Sequence, residues 1–348
     1  MSNGLYIFIA SVFAFFIAVT LTPVVRTFAY KFKVTDIPKD NRRMHKSEMP
    51  LMGGLAIFLA FVAGTLVFCG IDSKVIGMLL GSLLIVVTGI IDDKYDMNPF
   101  IKLFFQIASG LIAVLSGIVI EQVNLFGHII SFGKFSGVVS LIWIVLLTNA
   151  INLIDGLDGL SCGVSAISSV TLLLSLVNSE QTPVNVIIMI ACLAGSCLGF
   201  LPFNFNPAKI FMGDTGALFL GYSMSVMSIM GCFKLNAVVS FWVPFLVFAL
   251  PLVDTFFAFA RRVLTGKSPF SADRGHMHHR LIDRGFDQRH AVLMLYAVSG
   301  VSGVAAILIS LGKYIGGFVA IILTIVLLYL NMHYSKEINT INNPNNKE

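Results

Sequence analysis

This sequence has little charge. Of its 348 residues only 12% are charged, while 57% are hydrophobic. A soluble domain carries roughly 25% charged residues, so an ordinary soluble fold is excluded and a polytopic membrane protein is expected. Long polar segments are missing too, since each of the longest spans only about 25–30 residues, too short for a domain of its own. Residues 1–335 therefore read as a single integral membrane domain, and 336–348 as a polar cytoplasmic tail.

Other absences narrow the reading further. The five cysteines, Cys69, Cys162, Cys192, Cys197 and Cys232, form no C-x-x-C pair. Each lies in or at the end of an apolar run, as a small core residue does, so disulfides and cysteine-held metals are not expected. The N-terminus lacks a basic n-region and an A-x-A-like cleavage site, and reads as a first span. No internal repeat is visible, which weakens any analogy to inverted-repeat transporters. The net charge of +5 is no nucleic-acid signal, because the basic residues cluster beside the apolar runs.

What is present is a series of apolar runs. A membrane helix needs about 20 mainly apolar residues. Eleven runs are candidates: 4–25, 51–70, 75–91, 101–120, 137–154, 160–177, 184–203, 216–233, 237–260, 291–311 and 314–331. The expected fold is all-α, with the ninth run kinked or broken at Pro244 and Pro251. The segment 122–134, with Gly127 and Gly133, suits a short hairpin on the membrane surface. Lys and Arg set the orientation. Arg26, Lys31, Lys33, Lys39, Arg42, Arg43 and Lys46 follow the first run, and Arg261, Arg262, Lys267, Arg274, Arg280, Arg284 and Arg289 follow the ninth. The opposite side has only Lys74, Lys134, Lys234 and Lys313. This places the N-terminus outside and the C-terminus in the cytoplasm.

The concentrated polar motifs then share the cytoplasmic side. They are Asp36-Ile-Pro38 with Arg42-Arg43-Met-His45-Lys46, then Asp92-Asp93, then Asn149-Ala-Ile-Asn152-Leu-Ile-Asp155-Gly-Leu-Asp158-Gly. Phe211-Met-Gly-Asp214-Thr-Gly216, Asp254 and Asp273-Arg274-Gly-His276-Met-His278-His279-Arg280 complete the set. Polar side chains at the edges of membrane spans are costly and mark functional sites. Each motif also has a plainer reading. The Asn149–Gly159 stretch could be a polar loop with Asx turns. Asp92 and Asp93 could be a solvated helix end, although acids there oppose the helix dipole. Asp214 could be an N-cap, or a corner for phosphate and metal with Lys209 before it. Lys102 could be a snorkelling lysine. The imidazoles His276, His278 and His279 could hold zinc, but Arg274 and Arg280 flank them and favour an anion. Carboxylates and an amide without soft ligands suit Mg²⁺ or Mn²⁺, and Lys and Arg on two loops suit phosphate groups. The residues alone lead to a phosphoryl-group site at the inner membrane face.

Together and in this order, these motifs resemble the polyprenyl-phosphate N-acetylhexosamine-1-phosphate transferases of glycosyltransferase family 4. The resemblance extends from Asp36 to about Gln288. His276-Met-His-His-Arg280, preceded by Ser268-Pro-Phe-Ser-Ala-Asp-Arg274, is similar to the bacterial undecaprenyl-phosphate N-acetylglucosamine-1-phosphate transferases. The phospho-N-acetylmuramoyl-pentapeptide transferases, the alternative within the family, typically carry three histidines followed by Phe-Glu. An ion-coupled transporter is the alternative from another class.

The resemblance implies transfer of N-acetylglucosamine 1-phosphate from UDP-GlcNAc to undecaprenyl phosphate, with release of UMP. This would be the first lipid-linked step of a cell-surface glycan such as teichoic acid or O-antigen. It further implies Mg²⁺, for which Mn²⁺ substitutes, no nucleic-acid partner, and leaves a homodimer open. By motif match, Asp92 is the implied base with Asp93 in support, and Asp214 and Asn152 are the implied metal ligands. Asp155, Asp158 and Phe211 correspond to the nucleoside pocket, Lys46 and Lys102 to lysines near the phosphates. His276, His278, His279 and Arg280 correspond to a diphosphate or amino-sugar clamp.

Overall fold

The computed structural model describes residues 3–36, 48–125, 128–234, 237–266 and 275–333. The described chain is all-α apart from two short antiparallel strand pairs. In order it runs α1 (Asn3–Lys31), β1 (Thr35–Asp36), β2 (Met49–Pro50), α2 (Gly53–Phe68), α3 (Ser73–Tyr95) and α4 (Pro99–Leu115). Then come β3 (Gln122–Leu125), β4 (His128–Ser131), α5 (Ser136–Ile154), α6 (Leu160–Leu176), α7 (Val184–Asn204) and α8 (Gly213–Gly231). The chain continues through α9 (Ala237–Val247), α10 (Ala249–Leu264), α11 (Met277–Asp283), α12 (Gln288–Ser310) and α13 (Tyr314–His333).

Ten of the eleven apolar runs become one helix each, and the ninth becomes α9 and α10. Among the described residues five helical stretches are long and apolar enough to cross a membrane: Gly4–Lys31, Ser73–Tyr95, Gly133–Ile154, Val184–Asn204 and Gln288–Ser310. Four shorter apolar helices accompany them. The break in the ninth run follows from Pro251. Proline has no N–H, so it leaves the carbonyl four residues earlier without its helical partner. That carbonyl belongs to Val247, and the buried Ser168 hydroxyl of α6 donates to it at 2.9 Å. A neighbouring hydroxyl is the usual remedy for a freed carbonyl inside a membrane. The expected outer hairpin is present as antiparallel β3 and β4, with Gln122 opposite Ser131. All five cysteines are free and buried.

Helix α8 is the axis of the molecule. Every residue from Thr215 to Gly231 is buried, as expected of a helix that meets neighbours on all sides. It packs against α2, α3 and α5, while α7 lies between α1 and α6. The N-terminal end of α8 crosses α2 so closely that a Cβ on Gly54 would fall within the backbone of Gly216. Only glycine permits that approach. The crossing sits beside the Phe211–Gly216 motif, so the packing that fixes the bundle also fixes the start of α8.

Candidate active site

The start of α8 is locked from two sides. Phe211 donates its N–H to the Pro50 carbonyl at 2.9 Å, and Gly53 and Gly54 donate to the Phe211 and Met212 carbonyls at 3.0 and 2.9 Å. These bonds tie the segment before α8 to β2 and the start of α2. From α3, Asp93 accepts from the backbone N–H groups of Asp214 and Thr215 at 2.7 and 3.1 Å, and from the Thr215 hydroxyl at 2.6 Å. The first N–H groups of a helix lack intrahelical partners, and here a carboxylate from another helix satisfies two of them. Asp214 lies within the first turn of α8 and is not its cap.

This lock aims Asp214 at its neighbours. Its Oδ1 accepts from the Asn152 amide of α5 at 2.6 Å, and its Oδ2 pairs with the Lys102 ammonium of α4. The same ammonium pairs with Oδ2 of Asp92, whose Oδ1 accepts from the Met97 N–H at 2.8 Å. Four helices thus deliver Asp92, Lys102, Asn152 and Asp214 to one point. The snorkelling alternative for Lys102 is corrected here: its charge is spent on two carboxylates, which would otherwise repel each other. Asn149 turns elsewhere and pairs its amide with that of Gln106, at 2.6 and 3.3 Å.

The loop from α5 to α6 supplies the next two acids. Asp158 Oδ2 accepts from the Asn206 amide at 3.0 Å and from the Ala208 N–H at 3.1 Å. The same amide nitrogen of Asn206 donates to Gln288 at 2.7 Å, which joins the exit of α7 to the start of α12. Burial, then the charges of Asp214, Asp93 and Asp158, hold the Asp155 carboxyl well above the usual carboxylate range. That favours the protonated form, which can donate a hydrogen bond.

The histidines of the last motif pack ring against ring, the first pair stacked and the second tilted. The rings of His276 and His278 lie 5.8 Å apart at 11°, and those of His278 and His279 lie 4.2 Å apart at 45°. His278 is buried against the α5–α6 loop, where a Cβ on Gly156 would collide with its Nε2. Burial and the neighbouring His279 push its pKa down to about 3, so it stays neutral at physiological pH and brings no positive charge to a phosphate. Among the described residues no group of His, Cys, Asp or Glu is arranged to hold a metal by itself.

A cavity of about 930 Å³ gathers most of these groups. Its lining includes Asp92, Asp93, Asp155, Asp158, Phe211, Asp214 and His279. Asn152 and Lys102 reach it through Asp214. His276, His278 and Arg280 are not part of the wall, and Lys46 lies outside the described residues. The wall also includes Asn204, Asn206, Gln288, Asp96 and Asp283, which the sequence reading did not select. The Asn204-Phe-Asn206-Pro cluster at the end of an apolar helix was the available signal for the first two.

Glycosyl transferase family 4 matches residues 75–232. A probable undecaprenyl-phosphate N-acetylglucosaminyl 1-phosphate transferase of Bacillus subtilis is 38% identical over 308 residues, covering 87% of this chain and 85% of that protein. An undecaprenyl-phosphate alpha-N-acetylglucosaminyl 1-phosphate transferase of Thermotoga maritima is 33% identical over 280 residues, covering 80% and 83%. A phospho-N-acetylmuramoyl-pentapeptide-transferase of Staphylococcus aureus is 31% identical over 318 residues, covering 86% and 96%.

Proposed function

The chain belongs to glycosyl transferase family 4, and on that premise we propose that it moves N-acetylglucosamine 1-phosphate from UDP-GlcNAc to undecaprenyl phosphate, releasing UMP. It is a bacterial membrane enzyme. The observation that carries the reading is the meeting of Asp92, Lys102, Asn152 and Asp214 beside an acid-rich cavity. The relatives from Bacillus subtilis and Thermotoga maritima support the N-acetylglucosamine donor over the pentapeptide-bearing one.

The reaction joins a lipid-phosphate oxygen to the phosphorus bearing the sugar and breaks the bond from that phosphorus to the UMP oxygen. Both partners are anions, so positive charge must meet the negative charge that develops. Lys102 can supply one such charge. Asp92 can take the proton of the lipid phosphate once its contact with Lys102 loosens. Asp93 holds the frame of α8 so that Asp214 keeps its aim. Phe211 offers an aromatic face for uracil, and Asp155 and Asp158 offer polar atoms to the nucleoside.

The donor set suits Mg²⁺. Asp92 and Asp214 turn hard oxygens toward one cation already, and Asn152 adds an amide. Mg²⁺ binds through one or two carboxylates together with substrate phosphates and waters. When bound by Asp214 and Asn152, the metal would neutralise diphosphate charge.

Release of UMP by the purified protein tests the assignment. Activity is expected with UDP-GlcNAc and undecaprenyl phosphate, and much less with UDP-GalNAc or UDP-MurNAc-pentapeptide. A preference for the pentapeptide donor would move the chain to the other branch. The active site is assigned to the cytoplasmic face, with the N-terminus outside and the C-terminus inside. Because the native cysteines are buried, single cysteines placed after Leu311 and Asn342 should label from outside and inside, respectively. Labelling of both from one side would break that orientation.

A further inference from the structure

Asp254 is the one acid of the α10 segment, and nothing in the proposed reaction uses it. It is 3% exposed, on a helix whose other face is phenylalanine-rich and open, including Phe256, Phe257 and Phe259. A buried carboxylate at that depth is costly unless its oxygens are bonded. Both are. Oδ1 accepts from the Met277 N–H at 2.8 Å, and Oδ2 lies 2.8 Å from His276 Nδ1. The first bond satisfies the leading N–H of α11, and the second decides which nitrogen of His276 carries the proton.

We propose that Asp254 is the positioning residue of the last cytoplasmic motif. A carboxylate can only accept, so His276 must present Nδ1–H to it. That bond sets the plane of the His276 ring. His278 stacks on this ring, and His279 packs against His278 at a tilt of 45°, a chain of contacts that reaches the one imidazole of the three on the cavity wall. The contact spans 22 residues of chain, so it also fixes where the last loop returns to the bundle. Asp254 does not line the cavity, and its two bonds go to His276 and to the start of α11. The inference rests on the transferase reading where it concerns turnover, and on geometry alone where it concerns the ring.

Asp254→Asn separates the two bonds. The amide oxygen can still accept from Met277 N–H, but the amide nitrogen then faces His276 Nδ1 as a donor. His276 must shift its proton to Nε2 or lose the contact. In full-length protein labelled with ¹⁵N-histidine, His276 is identified by the signal lost in His276→Gln. Its Nδ1 should be protonated in the wild type and unprotonated in Asp254→Asn. This measurement needs no substrate, so it stands apart from the transferase assignment. In the UMP-release assay Asp254→Asn should lower kcat/KM for UDP-GlcNAc on the order of tenfold or more, as when a carboxylate that orients a functional imidazole is removed. His276→Gln should cost about as much, and the double variant no more than either alone, because both break one relay. An unprotonated Nδ1 in the wild type would overturn the inference. So would a folded Asp254→Asn variant within twofold of wild-type kcat/KM, or losses that multiply in the double variant.

Discussion

Asp214→Ala is expected to abolish measurable UMP release, with a loss on the order of 10³ or more if the metal contributes several kcal/mol of charge stabilisation. The reason lies in what the side chain does and does not hold. Its carboxylate engages Asn152 and Lys102, whereas the start of α8 is held by backbone donors to Asp93. Removing the side chain therefore empties the site without releasing the helix, and the variant should unfold close to the wild-type temperature. Mn²⁺ binding, followed by paramagnetic relaxation, should disappear with it. His279→Ala should weaken use of UDP-GlcNAc while leaving Mn²⁺ bound. Elemental analysis of the purified protein should find no stoichiometric zinc. One zinc per chain, lost together with activity on His279→Ala, would make the last loop the metal centre.

The second large effect is expected at Asp92. Asp92→Asn is nearly isosteric, and its amide oxygen can still accept the Met97 N–H that closes the end of α3. Its other end no longer attracts the Lys102 ammonium, and it can no longer take a proton. General-base loss alone costs typically 10²–10⁴ in rate, and kcat should fall by about that range while binding of UDP-GlcNAc persists. From sequence, Lys94 is the only cation adjacent to the pair, but Lys102 is the cation in contact. Lys102→Met should for that reason also lower turnover, through Asp92 and Asp214 together. A near wild-type rate for Asp92→Asn at neutral pH would remove it as the base.

The parts of this site that were legible in the sequence are those that lie close together in the chain. Asp92-Asp93, Asn152 to Asp158 and the Phe211–Gly216 motif are short polar interruptions at the ends of apolar runs, and such interruptions carry a cost that demands a reason. The break in the ninth run was legible because proline removes a donor wherever it stands. What was not legible depends on reach across the bundle. Lys102 by itself looks like any lysine at a helix start; the family resemblance set it near the phosphates, but only the folded chain shows it between acids 10 residues before it and 112 after it. Asp93 reads as the twin of Asp92, yet its oxygens cap a helix 121 residues away. The three histidines read as one patch, but stacking and burial divide them, and only His279 meets the cavity. Gln288 has no local signal at all, since its partner Asn206 is 82 residues distant.

The grip of Lys102 on both Asp92 and Asp214 bears on how the protein behaves outside the cell. A small metal domain whose ligands repel one another collapses when the ion is stripped away. Here the chain carries its own counter-ion, which stands between the two carboxylates. Chelation should accordingly silence this enzyme without denaturing it, and adding Mg²⁺ back should restore the original rate. Extraction, purification and storage in EDTA should therefore leave the activity dormant and recoverable.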